Sequence, residues 1–271
     1  MNVGHPKTRG YAEILKSQNR NKMIIENQKA STYHADREHI SKHGLDLIRR
    51  CPALYKYHQE NPTKQTPAMR WGELVHTWVL EPNEIPEDYV IAPPDFDKRT
   101  SAGKRFVEDA QLRGLEIVTA EETKQLIEIR ESILKNSEAR RILLEAQLIE
   151  PSVYWMDQDS EVLCRARPDI VGSNLITDLK TTKDIGGFEW DAMKFRYHVQ
   201  AAFYCDALKI SRFNFIVVEK EPPYLCQVFC SDDFFLARGR DEYRKDIEIY
   251  AECLTSGVWN GLPEVKTISL R

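Results

Sequence analysis

Two short apolar runs, residues 164–171 and 175–179, flank Gly172-Ser173-Asn174 and carry charge at their outer ends. The first holds Arg167-Pro168-Asp169 and the second Asp178-Leu179-Lys180. The intervening turn lets the runs pair as a hairpin. In a strand Asp178 and Lys180 project to one face and Leu179 to the other. Asp169 lies within reach of the same point. Two carboxylates and an amine in an apolar frame are costly unless a cation or a specific pairing compensates them. Metal-dependent phosphodiester hydrolysis uses this arrangement. A surface strand of alternating charge would also read Asp-x-Lys, so the hairpin alone leaves both readings open.

If a metal binds here, Asp169 and Asp178 supply oxygen ligands, and the Leu179 carbonyl, fixed between two functional side chains, is a further one. Lys180 then orients water or stabilises charge on the scissile phosphate. A general-base role needs its pKa to fall well below the usual value of about 10.4. Thr181 and Thr182 follow the strand and are candidate phosphate contacts. His76 ends a Gly72-x-x-x-His76 spacing on a helix spanning 69–80, where Gly72 would admit close approach of another element. It reads either as a ligand or as a hydrogen-bonded core histidine. Glu150 is equally a metal-shell carboxylate or an edge-strand surface residue. Gln200 and Tyr204 share a helix face one turn apart. They can position a phosphate, or form a polar margin beside a packed tyrosine.

A chain of 271 residues carrying a net charge of -4 argues weakly against indiscriminate coating of nucleic acid, but not against a nuclease with a local basic channel. Basic candidates are Lys98-Arg99 with Lys104-Arg105, then Arg165 and Arg167, then Lys194, Arg196 and His198. The longest apolar stretches are too short to span a bilayer, and no apolar signal core opens the chain. Six scattered cysteines favour the cytoplasm and give no zinc or iron-sulfur pattern. No Gly-rich phosphate loop followed by Lys-Ser or Lys-Thr is present, which argues against an ATP-driven motor.

Residues 1–30 read as a polar tail, and 31–271 as one domain, mainly helical over 31–145 and with its central sheet within 146–255. Helices are expected from Lys42 to Cys51 with Ser41 as cap, and over 53–59, 69–80, 102–114, 120–135 and 137–144. Residues 82–103 look like a long connection or lid. Strands are expected at 149–156, 162–171 and 175–180, then a helical region at 188–208. A second hairpin, 212–219 with 224–229, precedes a terminal helix over 232–255. This order, with mostly antiparallel strands, gives an α+β (mixed α/β) class with an N-terminal helical portion.

Taken in order, Gly72-x-x-x-His76, Arg167-Pro168-Asp169, Asp178-Leu179-Lys180-Thr181-Thr182 and Gln200-x-x-x-Tyr204 resemble the PD-(D/E)xK nuclease superfamily, and within it the RecE-type exonuclease domain of bacteria and prophages. The stretch from Ser41 to Ile48 with Cys51-Pro52, and Met69-Arg70-Trp71-Gly72, are similar as well. The resemblance covers residues 33–255. It implies a restriction-endonuclease-like core and a magnesium-dependent 5′ to 3′ exonuclease, with manganese able to substitute. The substrate would be linear double-stranded DNA, left with 3′ single-stranded tails for recombination by annealing. It also implies a tetrameric ring, a single-strand annealing protein as partner and a bacterial or prophage origin. By position it assigns His76, Asp169 and Asp178, with Glu150 less securely, as metal ligands and Lys180 as the catalytic lysine. Gln200 and Tyr204 would support the phosphate or the active-site geometry. Asp178 stands where many members of the superfamily have Glu. A structure-specific endonuclease and a noncatalytic DNA-binding scaffold of the same fold are the alternatives.

Overall fold

Side-chain caps set the helix starts in the N-terminal half. Ser41 accepts from the Gly44 amide, Thr66 from Met69, Thr100 from Gly103, and Thr119 forms a reciprocal capping box with Glu122. This computed structural model describes residues 22–61 and 64–265. β1 (Lys22–Ile25) and α1 (Ala30–Ala35) lead into α2 (Lys42–Arg50), α3 (Pro52–Glu60) and α4 (Pro67–Leu80). Then come α5 (Ile85–Asp88), β2 (Tyr89–Ile91), α6 (Ser101–Leu112), β3 (Glu116–Val118), α7 (Ala120–Lys135) and α8 (Ser137–Leu144). The second half runs β4 (Leu148–Ile149), β5 (Ser152–Met156), β6 (Leu163–Ala166), β7 (Ile170–Val171), β8 (Ile176–Thr182), α9 (Phe188–Lys194), α10 (Tyr197–Leu208), β9 (Phe213–Glu219), β10 (Cys226–Cys230) and α11 (Asp233–Ser256).

A five-stranded sheet in the order β10-β9-β8-β7-β4 is sandwiched between helices, which makes the fold mixed α/β. On one face Ile176, Phe215 and Val217 pack with Val199 and Phe203 of α10, Tyr243 of α11 and Leu45 of α2. On the other, Ile170, Leu179, Ile216 and Val218 meet Val75 of α4, Ile129 of α7 and Ile142 of α8. The central pair, β8 with β9, is parallel, while the other pairs of this sheet are antiparallel as expected. Parallel neighbours need a long crossover, and α9 with α10 provides it. The same crossover lays α10 across the face that carries Asp178.

Several expected elements are broken where charged residues turn the backbone. The strand over 149–156 divides into β4 and β5 at Glu150, whose φ is +44°. The strand over 162–171 divides into β6 and β7 at Arg167-Pro168-Asp169. β5 and β6 join β1 in a separate sheet, so the expected hairpin shrinks to Ile170 opposite Thr177 and Val171 opposite Ile176. The helical region over 188–208 breaks at Arg196, whose φ is +55°. There its guanidinium meets Asp46 of α2 and Glu242 and Asp246 of α11, so charge pairing holds a left-handed residue at the start of α10.

Within the expected tail, residues 1–21 lie outside the described residues, and 22–25 are not a tail: they pair antiparallel with β5. The expected lid contains α5 and β2, and β2 pairs in parallel with β3. Gly72 does not admit a neighbouring element, because a Cβ built there would meet nothing within 4 Å. Close approach occurs instead at Gly239, where a Cβ would stand 1.9 Å from the His198 carbonyl oxygen.

Helix propensity alone would make Gly239→Ala stabilising by about 1 kcal/mol. Because α10 touches α11 at this point, the substitution is expected to destabilise the protein by about 1–3 kcal/mol, read as a lowered urea midpoint.

Candidate active site

The short β7 decides the geometry. Continuing its register would put Asp169 opposite Asp178 and Pro168 opposite Leu179. Proline has no N–H to donate and does not sit within a central ladder. The β7 side of β8 therefore opens at Leu179, and side chains replace the missing strand. The Leu179 amide donates to Asp169 Oδ2 at 2.6 Å, and the Leu179 carbonyl oxygen lies 3.0 Å from His76 Nε2 of α4. His76 Nδ1 is 3.7 Å from both Glu150 Oε1 and Asp169 Oδ1. Glu150 is brought in by its backbone, which donates to the Asp169 carbonyl at 2.9 Å.

Asp178 and Lys180 occupy the other face, as strand alternation requires. Asp178 is 1% exposed. Gln200 of α10 donates to its Oδ1 at 2.6 Å. Its Oδ2 lies against the Lys180 ammonium but accepts no well-directed hydrogen bond. The Lys180 ammonium also stands 4.8 Å from the centre of the Tyr197 ring. Tyr197 is a neighbour that sequence motifs did not single out as part of the site. Its signal was position, one residue after the break at Arg196 and one turn before Gln200. Tyr204 is buried one helical turn after Gln200.

Burial would lower the Lys180 pKa, but Asp178 and Asp169 overcome it and raise it above the ordinary lysine value. In the metal-free site Lys180 is thus held as a cation and a hydrogen-bond donor. Burial and the nearby Asp178 push Asp169 up to about 7. Burial opposes protonation of His76, yet Asp169 and Glu150 raise its pKa to about 9. Burial also works against the Glu150 carboxylate, and the surrounding cations, His76 before Arg167, hold its pKa below the usual range.

Arg165 and Arg167 correct the expectation of DNA contacts. Arg165 is buried, donates to the Tyr33 carbonyl and lies over the Tyr33 ring. Arg167 ties Glu150, at 3.1 Å, to the Gln28 carbonyl and the Ser152 hydroxyl. Both turn inward and anchor the segment after β1, Arg165 at Tyr33 and Arg167 at Gln28. Thr182 is also buried and donates to the Asp184 carbonyl, so its hydroxyl is committed to the loop after β8. Thr181 is half-buried at the end of β8.

Among the described residues no three His, Cys, Asp or Glu groups already form a metal cage. The donor chemistry nevertheless fits a hard cation. Asp169 and Glu150 flank His76 on one side of β8, a buried oxygen of Asp178 faces Lys180 on the other, and Leu179 O and His76 Nε2 sit 3.0 Å apart. Ligands at adjacent corners of an octahedron, each about 2.1 Å from its centre, would have such a spacing. Until a cation binds, His76 and Lys180 balance part of the charge.

Residues 41–264 match the family described as a PDDEXK-like domain of unknown function, DUF3799. The chain belongs to this family. The fold and the ordered motifs are those of a PD-(D/E)xK nuclease domain. No curated protein matches the sequence. Among solved structures, a Eubacterium rectale protein assigned as an exonuclease aligns with a TM-score of 0.63 at 13% identity, over 90% of this chain and 97% of its own. A phage-related exonuclease from Haemophilus somnus 129PT aligns with a TM-score of 0.30 at 16% identity, over 65% and 94%. An alkaline exonuclease from Laribacter hongkongensis gives 0.29 at 14% identity, over 69% and 97%. PDDEXK nucleases generally use divalent metals. No helix among the described residues is long and apolar enough to cross a membrane.

Two raised pKa values set a pH dependence for metal-free protein. Asp169 titrates near 7 when folded against 3.8 unfolded, so the folded state holds the extra proton between those values and stability falls as pH rises through them. His76, raised from 6.5 to about 9, adds a second loss between 6.5 and 9. Thermal unfolding in chelator is expected to show Tm falling from pH 5 to 9, with a shallower fall below pH 7 in Asp169→Asn. A flat wild-type profile would contradict this charge balance.

Proposed function

We propose that this protein is a divalent-metal-dependent DNA exonuclease that resects linear duplex ends. The observation that carries the reading is the opened edge of β8. There Asp169, His76 and the Leu179 carbonyl meet on one side, while Asp178 and Lys180 meet on the other. That edge is an unusual place to bury several carboxylates, and hydrolysis of a phosphodiester gives them a purpose.

Asp169, Asp178, His76 and the Leu179 carbonyl would hold the cation, with Glu150 completing the acidic wall. When bound, a divalent cation polarises a phosphoryl oxygen and lowers the pKa of its water. We assign magnesium to this role, with manganese as a substitute, because the acidic and carbonyl oxygen donors suit small hard ions. Lys180, kept charged by Asp178 and Asp169, donates to the attacking water or to a non-bridging phosphate oxygen and stabilises charge that grows in the transition state. Gln200 fixes one Asp178 oxygen, which leaves the other facing Lys180. Tyr204 supports Gln200 from one helical turn away. Tyr197 covers the ammonium and shields it from bulk water.

The finer assignments follow the RecE-type resemblance of the motifs. They are 5′ to 3′ polarity, 3′ single-stranded products, a homotetrameric ring, delivery to an annealing protein and a cytoplasmic bacterial or prophage setting. The near-complete overlap with the Eubacterium rectale fold is compatible with them, but carries the fold alone.

Incubating wild type and Lys180→Ala with magnesium and 5′- or 3′-labelled linear duplex, alongside closed circular DNA, tests chemistry, polarity and end dependence together. Wild type is expected to degrade linear DNA from the 5′ end and spare the circle, while Lys180→Ala loses about 10²–10³-fold in rate and stays folded. Cutting of the circle would make the enzyme an endonuclease. Hydrolysis of neither substrate by folded wild type across metals and pH would leave a noncatalytic DNA-binding scaffold.

A further inference from the structure

One buried ring joins the N-terminal segment to the acidic wall of the site. Of the six residues of α1 only Tyr33 is buried, and the others are exposed. A helix this short has no stability of its own, so its place depends on that side chain. The Tyr33 ring centre lies 4.7 Å from the Arg165 guanidinium and 5.9 Å from that of Arg167, within cation–π range of both. Arg165 also donates to the Tyr33 carbonyl. Tyr33 is 5% exposed, and cation–π attraction is strongest out of water.

Arg167 carries the contact on to Glu150. Its Nε donates to Glu150 Oε2 at 3.1 Å, which leaves Oε1 toward His76 Nδ1, 3.7 Å away. Its Nη1 donates to the Gln28 carbonyl at 2.8 Å and to the Ser152 hydroxyl at 3.0 Å. Gln28 is held in turn by Tyr154, whose hydroxyl donates to its Oε1 at 2.9 Å. Gln200 stands in the same relation to Asp178, engaging one carboxylate oxygen and leaving the other to the site. Glu150 needs such support. Its φ of +44° is a left-handed backbone conformation that persists only where its surroundings hold it.

We propose that Tyr33 is a positioning residue for Glu150. Through Arg167 it fixes which carboxylate oxygen faces the cation, and so links docking of residues 26–35 to divalent-metal binding. The link runs in both directions, as any coupling between two binding equilibria must. Loss of the ring weakens the metal, and a bound metal holds the segment down. The inference rests on the reading of Glu150 as part of a metal site, and its test is independent of hydrolysis.

Full-length wild type, Tyr33→Phe, Tyr33→Leu, Glu150→Gln and the Tyr33→Leu, Glu150→Gln double variant are titrated with manganese, the free ion being read by electron paramagnetic resonance. Urea midpoints in chelator establish that each is folded. Tyr33→Leu fills the space without a ring face and is expected to weaken manganese roughly tenfold, while Tyr33→Phe keeps the wild-type affinity. In the Glu150→Gln background the same leucine should cost little more, because the oxygen it positions is gone. Unchanged affinity in Tyr33→Leu overturns the proposal, and so does an equal loss in both backgrounds. Trypsin reads the reverse direction with Tyr33 intact. Saturating manganese is expected to slow cleavage after the exposed Lys29 and Arg37 in wild type but not in Glu150→Gln. A cleavage rate in wild type that ignores manganese overturns the proposal as well. Tyr33-dependent manganese binding without DNA hydrolysis would remove the nuclease reading and leave this one standing. Hydrolysis with Tyr33-independent binding would remove this one alone, and folded wild type that binds no manganese would remove both.

Discussion

The site depends on a ladder that stops two residues after it starts. The pairing of β7 with β8 ends before Pro168, which the register would place opposite Leu179 two pairs further on. One amide and one carbonyl on the sheet edge are left to side chains, and buried backbone groups must find partners. Asp169 takes the amide and His76 faces the carbonyl. Backbone satisfaction fixes the carboxylate and the imidazole, and their charges also attract, with His76 Nδ1 3.7 Å from Asp169 Oδ1.

The rest of the architecture holds this edge in place from both faces of the sheet. On one face α4 carries His76, and Arg70 of the same helix is tied to Glu116 and Glu122 and to the Ile117 carbonyl. On the other, Arg196 joins α2, α10 and α11 through Asp46, Glu242 and Asp246, so Gln200 arrives at Asp178 and Tyr197 at Lys180. Beneath, Arg167 ties Glu150 to the segment after β1. Each cation offsets an acid that would otherwise be costly to bury. The interior beside β8 is consequently highly charged yet largely paired.

Much of the local structure could be read directly. The cap at Ser41 and the helical patterns of 69–80 and 120–135 gave helices within a few residues of those observed. The alternation of Asp178, Leu179 and Lys180 put their side chains on the expected faces. Legibility failed where tertiary contacts overrode pattern. Apolar runs at 149–156 and 162–171 look continuous, but each crosses between two sheets, and residues 22–25 form a strand only because β5 offers a partner. Arg165 and Arg167 looked like phosphate contacts because their charge is visible in sequence and their burial is not.

By itself, the sequence determined which chemical groups were present and their local spacing: Asp169 and Asp178 flanking a turn, Lys180 two residues on, His76 and Gln200 on helices, all in the order of a PD-(D/E)xK nuclease domain. Only the tertiary structure decided which groups meet. His76 and Leu179 are more than a hundred positions apart, as are Lys42 and Phe195. Neither hydrophobic periodicity nor turn chemistry encodes such distances, because both act over a few residues. It was packing on the two faces of a parallel strand pair that closed them, and that packing also turned Lys180 into a retained cation.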